Sequence, residues 1–190
     1  MWRMLSLTVI VLALALSVAR AQERSYVWWE AEDAERTNMS EDFPFEPANE
    51  QQANVLSEGT WIGATGKQDH EDVFAEYTVN VPQDGNYAFY VRKFWKHGPF
   101  RWRFDDKPWQ KVTRDIALLD SSSMRVHLTV SWVRAGEVQL DKGEHALRIE
   151  LLPDQNKAAA FDAFLLTLRP FQARGKMKPD EKYGKAPEGW

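Results

Sequence analysis

Residues 73–92 read VFAEYTVNVPQDGNYAFYVR, and they contain two stretches in which apolar residues occupy every second position. Side chains of a β-strand point to alternate faces of the sheet, so this period of two predicts strands over residues 73–81 and 86–94. Residues 82–85 between them contain the proline and the glycine that are typical of a turn. The sequence therefore predicts a β-hairpin. The residues expected on its buried face are Val73, Ala75, Tyr77, Val79 and Val81, followed by Tyr87, Phe89 and Val91.

The rest of the chain repeats this pattern. Alternation recurs over residues 124–133, 146–152 and 160–168, whereas apolar residues at helical spacing never extend over three turns. Phe100, Trp102 and Phe104 alternate with Arg101 and Arg103, which predicts another short strand with the rings on one face. Residues 40–54 contain two prolines and are expected to be irregular rather than helical. We expect an all-β fold, an antiparallel jelly-roll β-sandwich in a single domain.

The composition excludes several classes of protein. The 190 residues are 44% hydrophobic and 27% charged, which is ordinary for a globular domain and excludes a wholly disordered chain. There is no cysteine, so disulfides, thiolate zinc sites and a cysteine nucleophile are excluded. The formal net charge of −4 argues against a globally basic nucleic-acid binder.

The N-terminus predicts export. A short basic start is followed by an uncharged apolar run over residues 4–18 and by Ala19-Arg20-Ala21, which together are typical of a signal peptide over residues 1–21. Cleavage before Gln22 would leave a secreted or periplasmic chain, more typical of bacteria, with no membrane span. Loss of Arg3 and Arg20 would lower the basic count from 24 to 22 against 28 acidic residues, giving a mature charge of −6.

The mature chain is expected to have two parts. Residues 22–168 form the sandwich domain. Residues 169–190 contain three prolines, three glycines and alternating charges, so we expect a disordered C-terminal tail or flexible linker. Such a tail could connect the domain to a protein partner or to a missing catalytic domain.

Three acidic residues are candidate metal ligands. Glu30 and Glu32 lie two positions apart in a strand-like stretch, so they would project from the same face and repel each other unless a cation lies between them. Calcium prefers several oxygen ligands, which paired carboxylates supply. The alternative is a solvated acidic strand edge. Asp162 stands within an apolar stretch and would be either metal-bound or paired if buried, or exposed to water at the start of its strand.

The stretch FWKHGPFRWRFDDKPW at residues 94–109 combines aromatic and basic residues. Trp95 and Trp109 flank its predicted strand near glycine and proline residues, so their rings are free to face outward. Exposed rings stack on sugars or bases, and Arg101 and Arg103 would recognise carboxylates, sulfates or phosphates. The alternative is that these rings belong to the core and that the charges are only solvated. Trp28, Trp29 and Trp132 are the tryptophans that we expect in the core.

Four blocks in this order resemble the carbohydrate-binding modules of families 6 and 35, which have a galactose-binding-like β-sandwich fold. They are WEAED at residues 29–33, VFAEYTVNVPQDGNYAFYVR at 73–92, WVRAGEVQLDKGEHALRIEL at 132–151 and AFDAFLLT at 160–167. The resemblance covers residues 26–168. It implies a jelly roll with a structural calcium ion bound by Glu30, Glu32 and Asp162. Residues 118–124 are an insertion relative to the usual pattern.

The resemblance also implies a sugar site built from loop residues. Asn156 lies in the loop before the last predicted strand, where such modules carry a binding asparagine, and Trp109 lies in a turn that often carries a tryptophan. Trp95 is a further candidate. We expect a non-catalytic module that binds a polysaccharide or oligosaccharide through Trp95, Trp109 and Asn156, with Arg101 and Arg103 favouring acidic glycans.

Other functions stay open at this point. The main alternative is a structural or adaptor β-sandwich that mediates protein contacts in an envelope or extracellular assembly. An enzyme using Asp105, Asp106 or Glu71 is less favoured, because acidic pairs are common in turns. Single-stranded nucleic acid is opposed by the predicted export and by the acidic charge.

Overall fold

The computed structural model describes residues 25–65, 72–153 and 158–182. The predicted signal peptide lies outside these ranges. Helix within them is limited to a 3₁₀ turn at Ala31–Asp33 and to α1 (Glu50–Ala53). In chain order the strands are β1 (Tyr26–Glu30), β2 (Arg36–Thr37), β3 (Ile62–Thr65), β4 (Phe74–Val81), β5 (Gly85–Phe94), β6 (Phe100–Phe104), β7 (Gln110–Val112), β8 (Leu118–Arg125), β9 (Leu128–Leu140), β10 (Gly143–Leu151) and β11 (Ala158–Thr167).

The strands form two antiparallel sheets, which confirms the predicted all-β sandwich. The six-stranded sheet has the order β1-β11-β5-β9-β8, with β3 also paired to β11. The five-stranded sheet has the order β2-β4-β10-β6-β7. All ten residues of β11 are buried, because this strand has neighbours on both edges and is covered on both faces.

The core between the sheets consists of the residues that alternation places inward. Ala75, Tyr77, Val79 and Val81 of β4 are buried there together with Tyr87, Phe89 and Val91 of β5. Aromatic contacts connect the layers: the ring of Phe89 lies 6.1 Å from the ring of Trp29 and 4.7 Å from the ring of Trp102, which belongs to the other sheet. Aromatic pairs at such distances add to the stability that burial alone provides.

The predicted hairpin over residues 73–94 is wrong, although both strands exist. β4 pairs with β2 and β10 in the five-stranded sheet, whereas β5 pairs with β9 and β11 in the six-stranded sheet. The intervening turn therefore carries the chain from one sheet to the other. Alternation identifies a strand and its buried face, but it does not identify the strand's partner.

Two other local predictions are also wrong. The single strand expected over residues 124–133 is split between β8 and β9 by a turn in which His127 has a φ of 63° and Val126 is 82% exposed. Most of β8 occupies residues 118–124, which the resemblance marks as an insertion. The irregular stretch at 40–54 contains α1, which begins there because the side chain of Asn49 accepts a hydrogen bond from the Gln52 N–H at 3.0 Å.

The outer face of the six-stranded sheet is buried as well. Trp61 and Leu56 are fully buried over one half of this face, in a cluster with Phe94. Over the other half, Phe171 packs edge-on against Tyr90 and Trp132, with ring centroids 5.2 and 5.1 Å apart.

The segment at residues 169–182 thus differs from the predicted disordered tail. It contains no helix or strand, yet it lies against the outer face of the six-stranded sheet. The carbonyl of Gly175 accepts the indole N–H of Trp132 at 2.7 Å, and the Gly175 N–H donates to the carboxylate of Asp120. These contacts are made by a proline- and glycine-containing sequence that composition alone assigns to a linker.

The set of fully buried tryptophans differs from the predicted set. Trp132 is fully buried, while Trp28 and Trp29 are only partly buried against the hydrophobic clusters. Trp61 and Trp102 are also buried. Alternation with Arg101 and Arg103 places Trp102 on the same face as Phe100 and Phe104, whereas no pattern in the sequence singles out Trp61. The indole of Trp61 donates to the carbonyl of Phe45 at 3.1 Å, which satisfies its polar atom inside the protein.

A buried ion pair joins the central strands of the six-stranded sheet. Asp162 of β11 is 0% exposed and Arg92 of β5 is 1% exposed, and their side chains form a salt bridge. The second carboxylate oxygen of Asp162 accepts the Ser57 N–H at 2.9 Å, which ties the segment before β3 to the sheet. The alternative of a solvent-exposed Asp162 is therefore wrong.

Breaking this pair is expected to destabilise the fold strongly. Asp162→Asn leaves the Arg92 guanidinium buried without a counter-charge, which costs about 3–5 kcal/mol. Urea unfolding in a chelating buffer measures the loss without any contribution from a bound cation. The double variant R92M/D162N should recover at least half of the lost stability. Neither position of the pair then carries a charge, and an amide oxygen still accepts the Ser57 N–H.

The matched control is Arg134→Gln. Arg134 pairs with Glu137 at the surface, where both side chains are about half exposed, at 49% and 51%. Surface pairs contribute about 0–1 kcal/mol, so the control should change little. A D162N variant no less stable than R134Q would contradict a dominant role for the buried pair.

Candidate functional site

The loop that follows β5 presents one exposed tryptophan. Trp95 is 42% exposed and has a φ of 27°, a value that residues other than glycine adopt at an energetic cost. Its N–H donates to the Thr129 carbonyl at 2.9 Å, which fixes the backbone to the neighbouring strand. Its ring centroid lies 6.1 Å from the ring of His97 and 5.9 Å from the ammonium of Lys96.

A buried lysine organises this loop. The ammonium of Lys93 donates to the carbonyl oxygens of Phe94 at 3.3 Å and Trp95 at 3.1 Å, and also to that of His97. Burial of an ammonium is costly unless acceptors surround it, so these carbonyl groups must stay turned toward it. The loop then reaches Gly98, where a φ of 62° and close approach to β11 leave no room for a side chain. Trp95 is thus held by a defined backbone.

Trp109 lies in a different environment, directly before β7 on the outer face of the five-stranded sheet. The guanidinium carbon of Arg101 lies 4.4 Å from its ring centroid, and that of Arg103 lies 4.6 Å from it. Its ring therefore already contacts two cations. The two predicted sugar-binding tryptophans do not share ring neighbours: Trp95 lies at the β5–β6 end, and Trp109 lies beside β6.

The other predicted binding residues have different outcomes. Arg101 and Arg103 project from the same face of β6, as alternation predicts, while Phe100, Trp102 and Phe104 are buried on the other face. Arg101 also pairs with Glu150. Asn156 lies outside the described residues, so its role stays a prediction.

The acidic candidates lie at the end of β1. The strand stops at Glu30 and Glu32 belongs to the following 3₁₀ turn, so the expectation that both project from one strand is wrong. The two carboxylates are nevertheless near enough to influence each other's charge. They line an open cavity of ≈ 420 Å³ together with Trp28, Trp29, Asp33, Glu58 and Lys178.

This cluster contains carboxyl oxygens without partners. One oxygen of Glu30 accepts the Trp28 indole N–H at 2.7 Å, but its other oxygen and one oxygen of Glu32 are buried without a hydrogen-bond partner among the described residues. Burial raises the pKa of Glu32 to about 8, against the opposing effect of a hydrogen bond from its own backbone. The negative charges of Glu30 and Asp162 add to the rise. A cation at this place would relieve both the missing contacts and the repulsion.

Asp162 lies close to the cluster, but its negative charge is already balanced by Arg92. Glu30 is opposite Ala163 in the sheet and Ala163 is opposite Arg92, so the guanidinium lies in the same row as Glu30. Burial raises the pKa of Asp162 to about 6 although Arg92 opposes this rise, so the carboxylate stays ionised at neutral pH. Across the described parts of the chain, no three His, Asp or Glu side chains converge as a ready metal cage. Of the three candidates, Glu30 and Glu32 fit a cation better than Asp162.

Asp105, one of the candidate catalytic acids, is held in a turn by hydrogen bonds. Asp105 has a φ of 50° and accepts the Ala146 N–H at 2.9 Å. Its other oxygen contacts His145 Nδ1 at 2.8 Å, and His145 Nε2 lies 2.8 Å from the Asp141 carbonyl. These contacts fix the turn that leads to Trp109. Glu71 lies outside the described residues.

Comparison with solved structures supports the fold. The chain matches a Podospora anserina GH26-CBM35 β-(1,4)-mannanase with 17% identity and a TM-score of 0.51, over 77% of this chain and 29% of that one. The fold is like that of a family 35 carbohydrate-binding module. A family 35 carbohydrate-binding module from Clostridium thermocellum also matches, with 19% identity and a TM-score of 0.49, over 75% of this chain and 97% of that one.

Identities this low show a family 35-like fold and leave the ligand open. No family model matches the sequence, and the search of curated proteins found no match. Among the residues with described structure, no helix is both long and apolar enough to cross a membrane.

The His145–Asp105 contact predicts a pH-dependent stability. Burial lowers the His145 pKa, but hydrogen bonds to Asp105 and to the Asp141 carbonyl outweigh this effect and raise it above 6.5. Burial raises the Asp105 pKa, and the bonds from His145 and Ala146 outweigh this and lower it. The contact therefore stabilises the fold below pH 6.5 and above pH 4, and this contribution is lost as the pH rises through the His145 pKa or falls through the Asp105 pKa.

His145→Gln should accordingly reduce stability more at pH 5 than at pH 8.5. The difference should be about 1 kcal/mol or less, because the contact is partly exposed and screened by solvent. Thermal unfolding at the two pH values measures it. His127→Asn is the control, since asparagine tolerates the φ of 63° at this exposed turn. An equal loss at both pH values would show that the charge on His145 does not contribute.

Proposed function

We propose that this chain is a non-catalytic carbohydrate-binding module that uses Trp95 as its sugar-stacking residue. The supporting observation is an indole that remains 42% exposed on a loop whose backbone is fixed by Lys93, Thr129 and Gly98. An aromatic ring binds more tightly when it is already held in place, because less conformational entropy is lost on binding. The family 35-like fold supports the same function.

The affinity of such a site would be modest. Stacking on an aromatic ring contributes about 1–3 kcal/mol per base in nucleic acids, and stacking on a sugar ring should be similar or smaller. With a few hydrogen bonds from neighbouring groups, the expected affinity is micromolar to millimolar, or about −4 to −8 kcal/mol. Asn156 is proposed as one of these polar neighbours.

The proposal extends to a structural calcium ion. Glu30 and Glu32 would supply carboxylate oxygens to it, since each has a buried oxygen without a partner in the described part of the chain. Calcium is bound by oxygen ligands, and a bound ion would offset both the burial of the Glu32 carboxylate, which is the main reason for its raised pKa, and the smaller repulsion from Glu30 and Asp162. Asp162 would act mainly through Arg92, because both of its oxygens already have partners. We also propose export through the N-terminal segment, which would bring the module to extracellular or periplasmic glycans.

The first test is a glycan array followed by calorimetry on the best ligand. Trp95→Ala should weaken binding at least tenfold through loss of ring stacking, with little change in melting temperature because the indole is exposed. Leu119→Ala is the control, since Leu119 is an apolar residue of similar exposure, 46%, on β8 beside the Val133 end of β9 rather than beside Thr129. Full binding by Trp95→Ala would disprove this site. No binding on a broad array would favour the adaptor alternative.

The calcium proposal is tested by stability rather than by sugar binding. Millimolar calcium should raise the melting temperature above the value in chelator, because a ligand that binds only the folded state adds about 2.7 kcal/mol at 100 times its Kd. Glu32→Gln should remove most of this increase. In chelator at neutral pH it should be about as stable as the original chain, because a pKa of about 8 leaves the Glu32 carboxyl largely protonated and glutamine replaces it with another neutral group.

Glu144→Gln is the control for this test, because Glu144 is an exposed carboxylate on β10, away from the cluster. It should retain the full calcium-dependent increase. An unchanged melting temperature on addition of calcium would exclude the ion, and a full increase in Glu32→Gln would exclude the proposed ligand.

A further inference from the structure

Two adjacent rows of side chains on the outer face of the five-stranded sheet carry an excess of positive charge in an acidic protein. One row consists of Arg36, Glu76, Arg148 and Arg103, and the other consists of Phe74, Glu150, Arg101 and Lys111. Within these two rows, five basic residues face two carboxylates, although the whole chain has a formal net charge of −4.

The two carboxylates are fully used by three of the arginines. Glu76 pairs with Arg36 at 2.9 Å and also with Arg148. Glu150 accepts Arg148 Nε at 2.6 Å and Arg101 Nε at 2.7 Å. Glu150 is buried beneath these contacts, and its pKa is lowered because the hydrogen bonds from both arginines outweigh the effect of burial.

Arg103 is the arginine without a counter-charge in this network. Its cross-strand neighbour is Arg148, a like charge, and its Nε atom is buried without a hydrogen-bond partner among the described residues. Its guanidinium lies 4.6 Å from the ring centroid of Trp109. Contact with the aromatic ring orients the guanidinium but cannot satisfy its hydrogen-bond donors.

The contacts of Trp109 favour a positioning role over the predicted role in sugar stacking, which stays a prediction. Its ring contacts the guanidinium groups of both Arg101 and Arg103, so it holds the two cations side by side next to β7. Lys111 lies across from Arg101 and is exposed at the edge of the same face. The result is an oriented group of donors with one arginine available for an anion.

We propose that Arg103, positioned by Trp109 and flanked by Arg101 and Lys111, binds the carboxylate or sulfate groups of an acidic polysaccharide. Arginine forms paired hydrogen bonds with such planar or multi-oxygen anions, and an anion here would also offset the repulsion from Arg148. The open face of a sheet suits an extended polymer. This inference rests on the proposed carbohydrate-binding function but uses a surface separate from the Trp95 loop.

The test compares polygalacturonate, a heparin-type sulfated glycan, a neutral galactan and polyglutamate by calorimetry at two salt concentrations. Arg103→Gln should weaken binding to one or both acidic glycans at least tenfold and make its salt dependence less steep by about one counterion. Arg103→Lys should recover part of the affinity, since it restores the charge but not the paired hydrogen bonds. Arg134→Gln is the control, because it removes an exposed arginine from the other sheet.

The outcomes separate this inference from the proposed function. If the original chain binds acidic glycans and Arg103→Gln leaves that affinity unchanged, the anion site alone is overturned. The same conclusion follows if the original chain binds the neutral glycan but no acidic glycan. Absence of binding to every glycan would overturn both proposals. Equal affinity for polyglutamate and polygalacturonate would show a general anion site and overturn the assignment to a polysaccharide. Trp95→Ala should weaken binding to the neutral glycan but should leave unchanged the part of the acidic-glycan affinity that depends on Arg103.

Discussion

The salt bridge between Asp162 and Arg92 is the constraint on which the rest of the structure depends. It joins two adjacent central strands, and Asp162 also accepts the Ser57 N–H, so the segment covering the sheet is fixed to the same carboxylate. A buried charge pair adds little net stability compared with apolar residues of the same shape, but half of such a pair is very costly. The pair therefore favours one arrangement of strands over others, since a shifted register would leave both charges unpaired.

The same pair determines where further charge can be placed. Arg92 lies in one row with Glu30, yet its guanidinium is committed to Asp162, so the neighbouring Glu30 and Glu32 keep buried oxygens without partners among the described residues. The five-stranded sheet has the opposite imbalance, because Glu76 and Glu150 are paired with other arginines and the Nε atom of Arg103 has no partner in the described structure. One place therefore has carboxyl oxygens without donors, and the other has an arginine donor without an acceptor. Ligands of opposite charge, a metal cation and an anionic group, suit these two places.

Much of the fold follows from the sequence because alternation reports burial directly. The inward faces of β4, β5 and β6 follow from it, and so does the identity of the fold class. Strand pairing does not follow from alternation, so the hairpin that the sequence predicts after β4 is not found. The turn at His127 contains neither glycine nor proline, so its break in the strand has no local signal.

Prediction of the candidate site from the sequence is limited in the same way as prediction of strand pairing. Residue type identified Trp95, Arg103 and Glu32 as candidates, but their roles depend on contacts between distant parts of the chain. A buried lysine that binds loop carbonyl groups, or an arginine whose neighbouring carboxylates are paired with other arginines, cannot be recognised from spacing. An alternating arginine pair on β6 with a nearby tryptophan was the only signal for the basic face, and it did not distinguish a sugar-stacking ring from one that holds arginines.

The course of residues 169–182 has a consequence for which surfaces other molecules can reach. After crossing the outer face of the six-stranded sheet, this segment contacts the first strand, where Asp180 accepts a hydrogen bond from the Tyr26 hydroxyl. The same segment is held at Gly175 by the indole of Trp132. Because it is attached at both places, a partner molecule can reach this half of the sheet only by displacing the segment.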